Sequence, residues 1–418
     1  MLKLFVSSIY SDLLQKSNLI LYAGFLNAMF LLNSISNYSI LIISLDILLA
    51  GLSILFLGNR KNRDGLTDYL SLLKKNSHKL LILMIFLVVI PAATLLYSAN
   101  PLYGFQKVAH LLVSFFPMLF FSGYGFLNFS HKTLISVIKI SISFGMLFSI
   151  LAIITTPFDP GSIYSFSFNR WSHVISGRYF TVLLVLAIWY ILHSDNDSRS
   201  NIFYATFIVL GGYVLYQTTF RAGIVWVSLF VPIISVYHLS IQKARRTQIL
   251  RLIIPLLVLI TVIIVFPINS DVKMNRLDAL ARLEDFNNIR EHSIETRLMG
   301  YESALSMLSE NLFSGVGFGG FKSYYSNEVN ETISYLHNLF LEIFAELGVI
   351  YGLIFCCFMF LTGVKLIKFK EAGPLLLFLT LLWLSQLSKN ISSNAALYVL
   401  IFWTFIKMKN PVFLKNRA

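Results

Sequence analysis

Charge and cysteine are both scarce in this chain of 418 residues: Asp, Glu, Lys and Arg together make up 13% of it, and there are two cysteines. A water-soluble domain carries charge on about a quarter of its residues. The low charged fraction, together with 56% hydrophobic residues and a mean hydropathy of +0.73, therefore excludes an ordinary soluble fold. Cys356 and Cys357 are adjacent inside an apolar run, which supports neither a disulfide framework nor a cysteine-based metal site. They are expected to pack against lipid or neighbouring helices. Metal-protease spacing of the H-E-x-x-H kind is missing, as is a G-x-S-x-G nucleophile elbow. Acids are fewer than bases, 20 against 33, for a formal net charge of +13. The bases fall in short clusters between apolar runs, with no basic stripe or aromatic stacking platform, so a nucleic-acid surface is excluded. The N-terminus, with Lys3, Asp12 and Lys16 ahead of Leu19, lacks a compact cleavable leader pattern. The first apolar run is accordingly expected to stay in place.

What the chain has in quantity is long apolar runs. A bilayer core takes about 20 apolar residues as a helix and leaves no backbone group unpaired. The runs therefore predict an all-α polytopic integral membrane protein with about twelve transmembrane helices: 19–36, 38–57, 80–97, 108–125, 134–155, 179–193, 202–216, 222–237, 252–267, 339–364, 375–387 and 395–405. Residues 1–418 read as a single membrane domain, with 269–336 a large loop between the ninth and tenth helices. Short cytoplasmic loops are enriched in Lys and Arg. With the N-terminus inside, cytoplasmic segments hold 21 of the 33 bases, including Arg60, Lys61, Arg63, Lys74, Lys75, Lys79, Lys243, Arg245, Arg246 and Arg251. Short outer loops hold Lys107, Arg170, Arg178, Arg221 and Lys389. Both termini are then cytoplasmic, and the large loop faces the periplasm or cell exterior.

The chemistry concentrates between Asp271 and Gly352, and ten of the twenty acids lie from Asp271 to Glu331. Ile294, Leu298, Tyr301, Leu305 and Leu308 recur at helical spacing, which predicts an amphipathic helix over 293–311 that lies on the membrane surface, with Arg297 in its first turns. Gly315, Gly317 and Gly320 satisfy G-x-G-x-x-G, but no βαβ unit surrounds them and the nucleotide reading is rejected. These glycines provide either a turn or a close backbone approach to a lipid headgroup. His337 and Asn338 stand at the outer entrance of a helix, and Asn338, Glu342 and Glu346 share one of its faces. Carboxylates inside a span are costly unless they face protein or water, so this face points to a functional cavity. His337, from spacing alone, reads equally as a structural or a catalytic histidine. Arg170, in Asn169-Arg170-Trp171-Ser172-His173, reads as a headgroup anchor or as part of a cap over the outer face, and Arg221 sits where membrane meets water.

Taken in order, Thr219-Phe220-Arg221-Ala222-Gly223, Arg297 in a loop helix, Phe313 to Phe321 with its glycines, and His337-Asn338 followed by Glu346-Leu347-Gly348 and Gly352 resemble the bacterial O-antigen ligase and O-antigen polymerase superfamily. The resemblance implies an inverting glycosyltransferase without metal or other cofactor, acting at the periplasmic face of the bacterial inner membrane. Its donor would be a glycan on undecaprenyl diphosphate. Its acceptor would be lipid A-core for a ligase, in lipopolysaccharide biosynthesis, or a lipid-linked repeat unit for a polymerase; the ligase is the preferred reading. The residues fit such chemistry. Guanidinium groups suit a diphosphate leaving group through paired hydrogen bonds, which assigns Arg221 and Arg297. A histidine near its ordinary pKa suits removal of a proton from the acceptor hydroxyl, which assigns His337 as general base. Asn338, Glu342, Glu346, Arg170, Arg178 and Gly317 are candidate supporting residues. A lipid-linked sugar flippase or transporter is the rival reading from another class, distinguished by inverted repeats and polar groups near the midplane.

Overall fold

The computed structural model describes residues 19–29, 48, 51–52, 63–128, 131–155, 173–193, 198–217, 221–233, 253, 255–259, 261, 291–329, 336, 338–368, 372–388 and 394–407. All regular structure among them is helical. In chain order the helices are α1 (Leu19–Met29), α2 (Arg63–Lys75), α3 (Ser77–Leu96), α4 (Pro101–Asn128), α5 (His131–Thr155), α6 (His173–His193), α7 (Ser198–Gln217), α8 (Arg221–Val225), α9 (Glu291–Glu310), α10 (Gly320–Val329), α11 (Leu339–Lys368), α12 (Ala372–Ser388) and α13 (Ala395–Lys407). A π-helical turn, Trp226–Phe230, continues α8. Stretches in α3, α4, α5 and α11 are long and apolar enough to cross a membrane; α1, α6, α7, α12 and α13 contain shorter apolar helices, as does the α8 region at Gly223–Ile233. The expected spans beginning at 38 and 252 fall mostly outside the described residues.

One apolar core joins α1 to α8 with α11, α12 and α13, and buried tyrosines close its polar loose ends. Tyr22 and Tyr69 donate their hydroxyls to the carbonyls of Phe121 and Leu119 on α4, at 2.6 and 3.0 Å. The π-turn Ile85–Val89 within α3 shows how sequence forces such a contact. The amide of Ile90 is drawn to Ile85 O in the wider π register, and Pro91, next along, has no N–H to offer. Phe86 O would then lack a helical partner, and the hydroxyl of Tyr351 on α11 donates to it at 2.7 Å. The two rings stack at 4.2 Å, so α3 and α11 are locked together through one turn.

The helix bundle has two unlike ends. At one, Lys79 near the start of α3 donates to Phe405 O at 2.9 Å, and Lys365 near the end of α11 lies 3.5 Å from the centre of the Phe405 ring. Lys74, Lys75, His78 and Lys368 are exposed at the adjoining helix ends. At the other end, the corner between α3 and α4 meets the glycine loop between α9 and α10 and the start of α11.

Candidate functional site

The glycine segment 315–320 is a backbone-to-backbone joint. Gly315, Gly317 and Gly319 all have positive φ, at 65°, 83° and 83°, a region that L side chains rarely enter. A Cβ on Gly317 would lie 2.5 Å from Ser98 Cα, and one on Gly319 would lie 2.5 Å from Gly104 N. The loop thus presses on the α3–α4 corner, where Phe318 N donates to Thr94 Oγ1 and Ser98 Oγ donates to Phe318 O, both at 2.9 Å. Tyr97 donates its hydroxyl to Ser314 O at 2.8 Å. Of the two roles expected for these glycines, turn and approach to a headgroup, the structure shows turns and an approach to protein. Gly317 is buried, and the side where a Cβ would stand is filled by Ser98.

On its other side the same loop grips a break in α11. Gly348 adopts φ 80° and ψ 172°, dividing the helix into a first segment and a longer second one. A break strands carbonyls that an unbroken helix would satisfy. Two of them find partners in the loop: Val316 N donates to Ala345 O and Gly317 N to Glu346 O, both at 3.0 Å. Beyond the break, Val349 N donates to Leu312 O at 2.8 Å. Asn338 caps the first segment, its Oδ1 accepting from Leu341 N at 3.1 Å.

Glu342 and Glu346 do share the face expected of them, and that face is filled by Lys107. The ammonium of Lys107 lies 2.6 Å from Glu342 Oε1 and 2.6 Å from Glu346 Oε2, with all three side chains at 0–1% exposure. The ring of Phe318 covers the same ammonium at 4.5 Å. This corrects two expectations. Lys107 is no loop residue but sits two turns into α4, and the acidic face opens onto a cation, not onto a cavity. The physical reason is charge matching: ionised carboxylates buried on an apolar helix are stabilised by a neighbouring cation, and α4 supplies one. Lys107, His110 and Ser114 form a buried polar stripe along α4, with His110 Nε2 3.5 Å from Ser114 Oγ. The sequence signal for this pairing is a lysine and a histidine one turn apart inside one apolar run, and two glutamates one turn apart inside another.

The expected amphipathic helix is present as α9. Ala304 and Met307 pack with Phe321, Leu336 and Ala345 in a small second core, while Leu298 and Leu305 are 54% and 56% exposed. The small side chains at Gly300, Ser303 and Ala304 make that face the close-packing one, all three being buried. Arg297 is half-buried on the first half of α9. One unit therefore carries Arg297, Gly317, Asn338, Glu342 and Glu346.

The other predicted cations belong to a second neighbourhood. Arg221 opens α8, which packs against α6, α7 and α12. Arg178 lies on α6, so it is not in a loop as expected; it is 1% exposed, with Nη2 donating to Leu384 O of α12 at 3.2 Å. Helix α12 also packs on α11 and so joins the two neighbourhoods. Arg170 and His337 lie outside the described residues. Among the described residues no three His, Cys, Asp or Glu side chains converge as metal ligands would.

Residues 205–357 match the O-antigen ligase family. The matched stretch begins in α7 and ends in α11, and it contains Arg221, Arg297, the glycine joint and His337. The motif resemblance and the family match thus point to the same superfamily. A comparison with curated proteins finds no match. The chain is thus similar to the O-antigen ligase family over that stretch, and four of its described helices are long and apolar enough to cross a membrane.

Proposed function

We propose that this chain is an O-antigen ligase, an inverting and metal-independent glycosyltransferase of the bacterial inner membrane. It moves a glycan from undecaprenyl diphosphate to lipid A-core at the periplasmic face, with about twelve spans, both termini in the cytoplasm and 269–336 as the periplasmic loop. The observation that carries the proposal is the O-antigen ligase match over the very stretch that holds Arg221, Arg297 and His337. The two-ended bundle supports it as well, because the exposed lysines gather at one end and the unit with Arg297 and Asn338 occupies the other.

In this reading the acceptor hydroxyl attacks the anomeric carbon from the side opposite the diphosphate. A carbon–oxygen bond to the acceptor forms as the bond to the phosphate oxygen breaks, and the configuration inverts. His337 takes the hydroxyl proton, while Arg221 and Arg297 hold the charge that gathers on the departing diphosphate. Such a base contributes roughly 100-fold or more to turnover. His337→Ala, purified in the same detergent as wild type and matched to it in unfolding profile, is expected to lose at least that much transfer, with chelator present throughout. A stable His337→Ala enzyme with wild-type turnover overturns the general base; activity lost to chelator and restored by a divalent ion overturns metal independence. An O-antigen polymerase would use the same donor chemistry. Gene deletion separates the two: a ligase leaves uncapped core with retained lipid-linked polymer, and a polymerase leaves core bearing one repeat.

A further inference from the structure

We infer that Lys107 is a positioning residue for the transfer reaction, acting through the first segment of α11. The inference rests on reading His337 and Arg297 as reacting groups. Lys107 itself is fully buried against protein, so it does not touch substrate.

Three buried charges are a poor way to obtain stability, because well-packed apolar side chains of similar volume do as well or better. What such a cluster supplies is a defined arrangement. Glu342 and Glu346 project from successive turns of one helix, and one ammonium from α4 holds both at 2.6 Å. Two contacts one turn apart fix both the rotation and the axial position of that segment. Its far end is fixed independently by Val316 N and Gly317 N on the carbonyls of Ala345 and Glu346. Its near end is the Asn338 cap, and His337 is joined to Asn338 by a single peptide bond. Its flank, through Ala345 and Leu341, packs with Ala304 and Met307 of α9, the helix that carries Arg297. A slip or rotation of this one segment therefore moves the base and one diphosphate cation together. The compact, three-donor ammonium of lysine suits a place between two carboxylates, where a planar guanidinium would need more room.

The test compares wild type, Lys107→Met/Glu342→Gln/Glu346→Gln and His337→Ala, each as the full chain in detergent with undecaprenyl diphosphate-linked glycan as donor. The triple variant removes the charges together, so no carboxylate is left buried without its cation. It is expected to keep the wild-type unfolding midpoint and the donor KM within about threefold, while kcat falls by roughly 100-fold, the scale of an ångström misplacement of reacting groups. Wild-type kcat in the folded triple variant overturns the inference. So does a raised donor KM with unchanged kcat, which would make the cluster part of substrate binding. If the triple variant does not fold, Glu342→Gln decides: it retains the pair to Glu346, and wild-type kcat in it refutes the role, whereas a tenfold or greater loss at constant KM supports it. His337→Ala separates the two failures. Full turnover there refutes the general base and the positioning role with it, whereas an inactive His337→Ala beside a fully active triple variant refutes the positioning role alone.

Discussion

Replacing Gly348 by alanine tests the joint between the glycine loop and α11. Its φ of 80° and ψ of 172° fall in a region that is essentially glycine's alone, where another residue costs on the order of 1–3 kcal/mol. Space is lacking as well: a Cβ there would sit 2.1 Å from Phe313 O and 2.5 Å from Phe313 C, both backbone atoms that cannot swing aside. Relief requires either straightening α11 or pushing the 312–317 loop away. Both routes give up the bonds from Val316 N, Gly317 N and Val349 N, each worth about 1 kcal/mol net. The sum, roughly 4–6 kcal/mol, is a large share of the 5–15 kcal/mol that holds typical proteins folded. Gly363 on the same helix is the control, because its Cβ would meet only Phe378 Cε1 at 3.7 Å, an ordinary contact. Gly363→Ala is expected to be neutral or to stabilise by up to about 1 kcal/mol. Both variants would be unfolded reversibly in mixed detergent and followed by intrinsic fluorescence. A Gly348→Ala protein as stable as wild type would refute the joint, and equal losses at both glycines would show that neither the φ angle nor the close approach sets the cost.

Arg221→Lys keeps the charge but not the planar fork, so a well-inserted variant is expected to lose at least tenfold in glycan transfer if Arg221 clamps a diphosphate; near-normal transfer would reduce it to an electrostatic anchor. For sidedness, a cysteine at Asn327 is expected to react with an impermeant thiol reagent added from the periplasm, and one at Lys74 to stay unreacted; reversed labelling would overturn the orientation and the proposed site with it.

Local pattern is enough for the helical class and for much of its detail. Apolar runs long enough to cross a bilayer have only one backbone solution, so α3, α4, α5 and α11 follow from composition alone. The cap at Asn338 and the shared face of Glu342 and Glu346 follow from spacing along one helix, and so does the existence of α9 over Glu291–Glu310. Pairings between distant segments do not leave such a mark. Nothing near Lys107 in the sequence names Glu342 as its partner 235 residues away, and the charge beside an apolar run reads as a loop until the partner is seen. The second face of α9 escapes local pattern for a related reason: spacing marks the apolar side of Leu298 and Leu305, whereas the side of Ala304 and Met307 is defined by its packing with Phe321, Leu336 and Ala345. The glycines of 315–320 are visible as a demand for unusual backbone, yet a turn, a headgroup and a neighbouring helix make that demand equally. Packing against Ser98 and Gly104 settles it, because close approach is a property of two surfaces and only one of them is encoded there. Helix identity is thus a matter of local chemistry and bilayer thickness, while the joint, the charge cluster and the grouping of Arg297 with Asn338 exist only once the helices have met.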